Sequence, residues 1–547
     1  MSTQSQATGW TSADPATKEA RKPNQGSQPP LAPMNSLPRL AADSSGRLWL
    51  TFRSAFPARW SFIGTVWTEY VVSFDGNAWT GPIYLAHSDN LFDNRPAVVS
   101  TKPGELVVIG SSDGRGNYLA GLANVLQERR DATAEGRQPT TGAGMGNLPG
   151  HDPYNNDLYA ALVSLTPASG AMAVKAVPAV RRAGPDRIDV IEKSAIQRMR
   201  DTRVNTGAGE LRLVRGEFHR HSEISMDGGN DGSLLDQWRY IIDAGGMDWV
   251  GCCDHDNGGG REYSWWITQK LTQVFYTPGK FAPLFSYERS VAYPEGHRNV
   301  LFVQRGIRPL PRLPISKADT PGHAPDTQMF YAYLKQFNGV VASHTSGTGM
   351  GTDWRDNDPN VEPAVEIYQG DRQNYEMPGA PRSNSEEDSL GGWRPKGFIN
   401  NALEMGYMLG FEASSDHIST HLSYANVYVA DDTREAVLDG VRRRHIYGST
   451  DNILADVRSG QYMMGDAFTT STPPELKVRL TGTEPFAKVT IVKDGKYVYS
   501  TEPKKAAVEF TWRDNAAQRG KKSYYYVRGE QQNGEVVWVS PMWITYR

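Results

Sequence analysis

Cysteine is almost absent from this chain of 547 residues, whose only two cysteines are the neighbours Cys252 and Cys253. Adjacent cysteines cannot easily bridge each other, so the sequence excludes a disulfide-stapled scaffold. No run of about 18 apolar residues occurs, which argues against a membrane-spanning helix. An excess of one charge is also missing, since 58 Lys and Arg against 61 Asp and Glu give a formal net charge of −3. That balance provides no field to attract nucleic acid or anionic lipid.

The beginning of the chain lacks the apolar segment of a secretory signal. Residues 1–38 are polar, proline-rich and aperiodic, which predicts a disordered lead-in. We therefore expect a cytoplasmic protein by default, or an exported one whose signal has been removed. The length exceeds what one compact core can use and predicts several domains.

Short predicted strands with turns between them occupy residues 39–183. The segments "RLWLTFRS" and "EYVVSF" alternate in the manner of strands, and Asp75-Gly76 and Asp113-Gly114 mark turns. The segment "SFDGNAW" loosely resembles the Asp-box turn of sialidase-type propellers. These features predict a β-propeller-like domain, although two blade-like units cannot close a ring that needs at least four.

The rest of the chain changes character twice. Residues 184–208 predict a helical linker, and residues 209–454 alternate predicted strands and helices, beginning with "LRLVRGEFH", "SLLDQWRYIIDAGG" and "MDWVGCCDHD". Such alternation predicts an α/β fold with a parallel barrel or an open sheet. Residues 455–547 return to strands with hairpin turns at Asp494-Gly495 and Asn533-Gly534, which predicts a C-terminal β-sandwich.

Histidine is scarce but concentrated: eight of the 11 histidines lie between residues 219 and 421. In "RGEFHRHSEIS", His219 and His221 alternate on a predicted strand, so both point to one face and can bind one metal ion. In an α/β barrel the C-terminal ends of the strands converge, which brings distant residues together. The later strand ends supply further candidates, namely Asp254, His255, Glu288, His297, His344, Asp416, His417 and His421.

Four of these segments follow one another in a recognisable series: "FHRHSEIS", "GCCDHDN", "YERSVAYPEGHRN" and "VVASHTSG". Together they resemble the motifs of the polymerase and histidinol phosphatase (PHP) superfamily of metal-dependent hydrolases. The segments "VEIYQGDRQNYE", "ASSDHISTHLSYANVY" and "YYYVRGEQQNGEVVWVSPMW" look like one branch, the carbaryl hydrolase-like metallohydrolases and their largely uncharacterised relatives. The resemblance covers residues 210–547 and leaves out the propeller-like region.

The resemblance implies a distorted PHP-type (β/α) barrel with two or three divalent ions of Zn, Mn or Fe. It implies a first site of His219, His221, Glu288 and Asp416, and a second in which a bridging Glu288 joins His297 and His344. A third site would use His255 and His417, with Asp227 as a further candidate. Asp416 and His417 are adjacent where the superfamily has Asp-x-His, so they face one side only if a turn begins at Asp416.

The donor set indicates the chemistry. Mixed imidazole and carboxylate ligands suit Zn, Mn or Fe better than Ca or Mg. We expect a metal-bridging hydroxide to attack a phosphoester of a small-molecule substrate, with Arg298, Arg372 and Tyr375 meeting an anionic or carbonyl oxygen of that substrate. Asp254 is expected to orient His255 or to accept a proton. Carboxylic esters, carbamates or amides are the alternative substrates, and a glycan- or peptide-binding protein with an inactive barrel is the alternative from another class.

Several residues stay open at this point, and so does the oligomeric state. Glu366 is either a partner of a ligand or an ordinary strand residue. His421 has no assigned role, and Cys252 and Cys253 are expected to be buried strand residues. The acidic residue that usually belongs to the first motif does not stand at its expected position in "HSEISMDGG", which leaves Asp227 or Glu223 as candidates for it.

Overall fold

The structure is a computed structural model. It describes residues 35–56, 66–90, 95–113, 157–169, 176, 178–179, 184, 187–207, 209–225, 231–251, 254–256, 262–313, 324–370, 373–417 and 423–547. Most of the expected lead-in, together with Asp227, Cys252, Cys253, Arg372 and His421, lies outside these ranges. The chain divides into two compact units. One comprises Met1–Ala183 with Ser222–Leu234, and the other comprises Gly184–His221 with Leu235–Arg547.

The first unit contains two antiparallel sheets in its described part. One has the strand order β1 (Asn35–Ala42), β2 (Leu48–Phe56), β3 (Val66–Phe74) and β4 (Trp79–Tyr84), and the other has the order β5 (Ala97–Val99), β6 (Glu105–Ser112) and β7 (Asp157–Ser164). Trp49, Val71, Leu106, Val108 and Val163 from the two sheets form one core cluster. Strand β1 begins at Asn35, inside the segment that was expected to be disordered.

The second unit contains six α-helices among its described residues: α1 (Arg187–Asp201), α2 (Leu234–Asp243), α3 (Glu262–Phe275), α4 (Pro325–Gln336), α5 (Ile399–Glu404) and α6 (Arg434–Arg442). Leu234, where α2 begins, is counted with the first unit. Of these helices, none has the length and apolar character required to cross a membrane.

A sheet of seven strands carries most of the candidate ligands. Its strands are β10 (Trp249–Gly251), β11 (Ala282–Ser290), β12 (His297–Phe302), β13 (Val340–Ser343), β14 (Ala364–Gln369), β15 (Gln373–Asn374) and β16 (Gly410–Ser414). They lie in numerical order from β10 to β15, and β16 pairs with β14. Every residue of β11, β14 and β16 is buried, so a charged residue within them needs a partner.

Two further sheets complete the second unit. The ten-stranded sheet contains β8 (Arg203–Thr206), β9 (Gly209–Gly216), β17 (Tyr424–Val429), β18 (Ile446–Ser449), β21 (Ala467–Thr470), β23 (Phe486–Lys493), β24 (Lys496–Thr501), β26 (Lys522–Gln531), β27 (Val536–Val539) and β28 (Met542–Tyr546). The four-stranded sheet contains β19 (Leu454–Ser459), β20 (Tyr462–Met463), β22 (Glu475–Thr481) and β25 (Ala507–Arg513).

The expected α/β class is wrong, because strands make up 42% of the structure and helices 16%. The helix-rich (β/α) barrel is therefore not found among the described residues. Strand pairing gives the reason: only six residues separate Ser290 from His297, too few for a helical crossover, so β11 and β12 pair antiparallel. The next pair, β12 and β13, is antiparallel as well.

The two regions that flank the expected barrel consist of strands. The described residues of the first unit form sheets of four and three strands, and no propeller ring is found among them. In the C-terminal region β27 pairs with β18, so its strands continue the sheet that contains β17 and β9. A core cluster that includes Leu213 of β9, Val478 of β22 and Val527 of β26 spans the same boundary.

Candidate metal centre

The backbone brings the first pair of histidines beside Asp416. His219 and His221 follow the end of β9, and Asp416 follows the end of β16. The Asp416 amide donates to the His219 carbonyl at 3.1 Å, and the His221 amide donates to the Asp416 carbonyl at 3.3 Å. This short parallel bridge fixes three side chains that are almost 200 positions apart in the sequence.

Glu288 lies at the centre of the remaining candidates. Its amide donates to the Asp254 carbonyl at 3.0 Å, while its carbonyl accepts the Asp256 amide at 2.8 Å, so residues 254–256 run beside β11. His297 pairs with Ser290 on the neighbouring strand, and the His344 amide donates to the His297 carbonyl at 3.3 Å. His255 thus lies on one side of β11, and His297 on β12 lies on the other side. His344 follows β13, the next strand, and all three histidines lie close to the Glu288 carboxylate.

The two oxygens of Glu288 face two different sets of imidazoles. Oε2 lies 3.4 Å from His219 Nε2 and 3.2 Å from His221 Nε2. Those two nitrogens also lie 3.2 and 2.9 Å from Asp416 Oδ1. Oε1 lies 2.6 Å from His297 Nδ1, 3.2 Å from His255 Nδ1 and 3.3 Å from His344 Nε2.

These separations fit the ligand shell of a metal ion. Two donors that each bind a tetrahedral ion at about 2.1 Å lie about 3.4 Å from one another. The sets His219–His221–Glu288 and His255–Glu288–His297 both have their ligand atoms within 4.8 Å of one another. The geometry therefore accommodates one ion on each side of Glu288.

A third set consists of His221, Asp416 and His417. Asp416 has φ +63°, in the left-handed region, so the chain turns there and His417 comes to the same side. His417 Nε2 lies 3.5 Å from Asp416 Oδ1, and its ring stacks on that of His221 at 4.2 Å. The sequence grouped His255 with His417, whereas the structure places His255 Nδ1 beside Glu288 and His297.

The two central carboxylates are ionised. Burial alone would raise the pKa of Glu288, but the imidazoles of His255, His344 and His297 outweigh burial and hold that pKa well below its usual range. His417 and His219 do the same for the pKa of Asp416. Ionised carboxylates are the form that coordinates a cation.

The histidines differ in their protonation. Burial, assisted by His219, lowers the pKa of His344 to about 3, so this imidazole is neutral and ready to bind a metal. Burial also lowers the pKa of His219, but Asp416 and Glu366 outweigh burial and raise it well above its usual value. A metal at His219 must therefore displace a proton.

The far nitrogens of two candidate ligands are also held. His219 Nδ1 lies 3.1 Å from Glu366 Oε2, which leaves Nε2 for the cluster. His344 Nδ1 lies 3.2 Å from Thr345 Oγ1, which again leaves Nε2 for Glu288. Glu366 could also act as a ligand with His219 and His344, but a carboxylate behind Nδ1 is the usual way to orient a ligating imidazole. Of the two interpretations that the sequence left open for Glu366, the contact with His219 favours a partner of a candidate ligand over an ordinary strand residue.

Two buried atoms of the cluster have no hydrogen bond within the part of the chain that the structure describes. They are Glu288 Oε2 and His344 Nε2. Buried polar atoms are nearly always satisfied, because leaving one without a partner costs free energy. Divalent cations, one beside Glu288 Oε2 and one beside His344 Nε2, would supply the missing interactions, so the residues fit a metal.

The expected substrate-binding residues are placed less favourably. Arg298 is 3% exposed and projects from the other face of β12, where its Nε lies 3.5 Å from Glu362 Oε2 and its Nη1 donates to the Glu295 carbonyl at 2.6 Å. Arg372 lies outside the described residues. Tyr375 and Asp254 are buried, and the Asp254 carbonyl accepts a hydrogen bond from the Glu288 amide. Catalytic roles for Asp254, Arg298 and Arg372 remain predictions.

Sequence reasoning missed two residues near the cluster. Ser290 Oγ donates to Glu288 Oε1 at 3.1 Å and also contacts His255 Nδ1. Arg312 donates through Nη1 to the Ser290 carbonyl at 2.5 Å and through Nε to Asp256 Oδ1 at 2.8 Å. Ser290 stood in the motif "YERS" and could have been noticed there. Arg312 lies in an aperiodic, proline-rich segment that offers no pattern.

Comparisons with known proteins give distant relatives. No protein-family model matches the chain. An uncharacterised protein of Chlamydia muridarum is 24% identical over 238 residues, which cover 37% of this chain and 38% of that protein. Uncharacterised proteins of Chlamydia trachomatis serovar D and Chlamydia pneumoniae are 23% and 22% identical, over 37% and 51% of this chain. The matches span 38% to 49% of the length of these relatives.

One solved structure has a related description. It is a two-domain protein from Bacteroides vulgatus that contains a predicted PHP-like metal-dependent phosphoesterase. The match covers 62% of this chain and 97% of that chain, with 12% identity and a TM-score of 0.31. A similarity this low carries no argument about the present fold or activity. Membership of the carbaryl hydrolase-like branch stays a prediction.

Proposed function

We propose that the chain is a metal-dependent hydrolase that cleaves phosphoesters. One observation carries the proposal: the two oxygens of the buried Glu288 face separate imidazole sets at ligand-shell distances. A carboxylate shared between two ions is a recurring feature of two-metal hydrolytic sites, where the ions lie about 3.5–4 Å apart.

Each candidate ligand has a distinct position in this proposal. His219, His221 and Asp416 would hold one ion, His255, His297 and His344 would hold the other, and Glu288 would contact both. Zn, Mn or Fe suits such a mixed imidazole and carboxylate set. The bound ions would supply a Lewis acid and an acidified water molecule at neutral pH.

The chain's own residues keep this arrangement rigid. Glu366 holds His219 Nδ1, and Thr345 lies against His344 Nδ1, so each ring keeps its Nε2 towards the cluster. Ser290 donates to Glu288 Oε1 and thereby limits rotation of the carboxylate. His219, His221, Glu288, His344 and Asp416 are buried, while His255 and His297 are partly exposed. This shielding strengthens the attraction that bound ions would exert on an anionic phosphoester.

Substrate profiling of the metal-loaded protein tests the proposal. We expect an aryl phosphate or a bis-aryl phosphodiester to be hydrolysed, the activity to disappear with a chelator, and Mn²⁺, Zn²⁺ or Fe²⁺ to restore it. The variant H297A should lose this activity, whereas H87A, which removes an exposed histidine of the first unit, should keep it. Hydrolysis of aryl esters or carbamates without any phosphoester activity would contradict phosphoester cleavage and favour the alternative substrates. The absence of any metal-dependent hydrolysis would refute the proposal.

A further inference from the structure

Three arginines lie close to the Glu288 segment, and their exposure separates them. The Arg289 side chain is 1% exposed and forms two bonds with Asp326, at 2.9 and 2.8 Å. The Arg298 side chain is 3% exposed and faces Glu362. The Arg312 side chain is 25% exposed. Among these three, Arg312 is the one that a molecule from solution can reach.

Arg312 is anchored to both segments that flank the second imidazole set. Its Nε donates to Asp256 Oδ1 at 2.8 Å, and Asp256 directly follows His255. Its Nη1 donates to the carbonyl of Ser290, whose Oγ bonds Glu288 Oε1 at 3.1 Å. Arg312 is therefore one residue away from the cluster on both sides, through Asp256 to His255 and through Ser290 to Glu288.

The backbone on both sides of Arg312 is held by hydrogen bonds to the buried pair Arg289 and Asp326. Arg289 Nη2 donates to the Pro311 carbonyl at 3.2 Å, and the Leu313 amide donates to Asp326 Oδ2 at 2.7 Å. The backbone is thus tied on both sides of Arg312 by the buried Arg289–Asp326 pair. A guanidinium held in this way loses little conformational freedom when it binds a ligand.

The guanidinium still has donors to offer. Arginine carries five N–H groups. Three of them are used, on Asp256 Oδ1 by Nε and by Nη2 and on the Ser290 carbonyl by Nη1. Within the described residues, one N–H on each terminal nitrogen is left without a partner. Such a pair of donors matches two oxygens of a phosphate or a carboxylate.

We propose that Arg312 binds the anionic oxygens of the substrate beside the Glu288 cluster and makes the site selective for phosphate-bearing substrates over neutral esters. The proposal rests on the proposed function, because it assigns the substrate group of that same site. It replaces Arg298, whose guanidinium is buried against Glu362 on the other face of β12. Asp256 orients Arg312 and does not consume the two remaining donors.

Binding of inorganic phosphate to the metal-loaded protein tests the proposal without relying on turnover. The variants are R312Q, R312K and the control R305Q, which removes an exposed arginine from the same connection. Hydrogen bonds to charged groups contribute about 1.5–3 kcal/mol, so R312Q should raise the Kd of phosphate by about 10- to 150-fold. R305Q should leave the Kd unchanged, and all variants should keep the wild-type metal content. For turnover, kcat/KM for an aryl phosphate should fall in R312Q by a similar factor, while R305Q should keep the wild-type value.

The outcomes separate the two proposals. Wild-type protein that binds no phosphate, or R312Q with wild-type affinity for phosphate, would overturn the role of Arg312. If R312Q does not fold, R312K decides, because lysine keeps the charge and loses the fork of donors. A fivefold or greater rise in Kd in R312K supports the proposal, and a smaller change contradicts it. Phosphate binding that depends on Arg312 in a protein without phosphoesterase activity would refute the proposed function and leave this inference standing.

Discussion

Two buried glutamates of the second unit, Glu288 and Glu376, have opposite surroundings. Glu376 is 2% exposed and accepts bonds from Tyr526 Oη at 2.6 Å, Arg528 Nη1 at 2.7 Å and Trp538 Nε1 at 2.9 Å. Glu288 is 1% exposed and faces five imidazoles. In the part of the chain that the structure describes, no arginine or lysine forms an ion pair with Glu288.

This difference separates a structural carboxylate from a candidate ligand. The donors around Glu376 are always protonated at neutral pH, so its charge is satisfied without any ligand. The imidazoles around Glu288 can each either donate a proton or coordinate a cation, depending on conditions. A buried carboxylate among titratable nitrogens is therefore the arrangement that a metal site requires, and the Glu376 cluster is the internal control for it.

The largest effect is expected at Glu288. The variant E288Q removes the charge shared by both imidazole sets, so we expect hydrolysis to fall by about a thousandfold, in the range seen when a group that stabilises the transition state is removed. Thermal unfolding should show that the fold is retained. Steady-state kinetics with a phosphoester would contradict the account if E288Q kept more than a tenth of the wild-type kcat.

The matching change at Glu376 should affect stability instead of activity. E376Q removes the buried counter-charge of Arg528 and leaves it only the partly exposed Glu530 at 3.3 Å, and breaking a buried ion pair typically costs about 3–5 kcal/mol. Chemical denaturation should report this loss, while the metal content and KM of the folded fraction stay at wild-type values. Loss of metal in E376Q at unchanged stability would contradict the assignment of Glu376 as a structural carboxylate that differs from Glu288.

A third buried glutamate, Glu69 in the first unit, is intermediate because it faces Arg53 on the neighbouring strand, while its Oε1 has no hydrogen-bond partner among the described residues. Burial raises its pKa to about 7, against the opposing effect of Arg53. Because the raised pKa favours the neutral acid in the folded state, stability should be lost as pH rises from about 4.5 to 7, by at most about 3 kcal/mol.

The variant E69Q checks this pH dependence. It should unfold at the wild-type temperature at pH 4 and at a higher temperature at pH 8, because glutamine carries no charge that burial penalises. Equal melting temperatures of the two proteins at pH 8 would contradict the expected ionisation of Glu69.

The smallest effect is expected behind His219. E366Q should weaken metal binding by about 10- to 100-fold, the usual cost of removing the partner that orients a ligating imidazole. E412Q is the matched control, because Glu412 is an equally buried carboxyl group on the neighbouring strand that accepts its bond from Ser414 Oγ at 2.7 Å and not from a candidate ligand. Titration with Mn²⁺ in both variants compares them. Equal losses in E366Q and E412Q would show that Glu366 has no special role towards His219.

Much of the cluster could be predicted from the sequence, because each candidate occupies the end of a strand. His219, His221, Glu288, His344 and Asp416 required only that those strand ends meet. The partner of His255 could not be predicted, since it depends on residues 254–256 running beside β11. The turn at Asp416 required a left-handed backbone in a residue other than glycine, which local sequence rarely indicates.

The fold was predicted less well, for a related reason. Alternating strand and helix patterns favour parallel sheets, but the short link between Ser290 and His297 forces β11 and β12 into an antiparallel pair. Pairing of β27 with β18 joined segments that were predicted to belong to separate domains. Such long-range pairing is decided by tertiary contacts that no local pattern contains. Arg312 was missed for the same reason, since Arg289 and Asp326 fix its segment from elsewhere in the chain.

Metal content per chain is the most direct measurement of the central claim that Glu288 joins two ion positions. Wild-type protein and E288Q would be reconstituted with Mn²⁺, Zn²⁺ or Fe²⁺, desalted and analysed by inductively coupled plasma mass spectrometry. We predict at least two ions per wild-type chain and a clear loss in E288Q, with E376Q at the wild-type value. Fewer than one ion per wild-type chain after reconstitution would contradict the claim and favour a binding protein without catalysis.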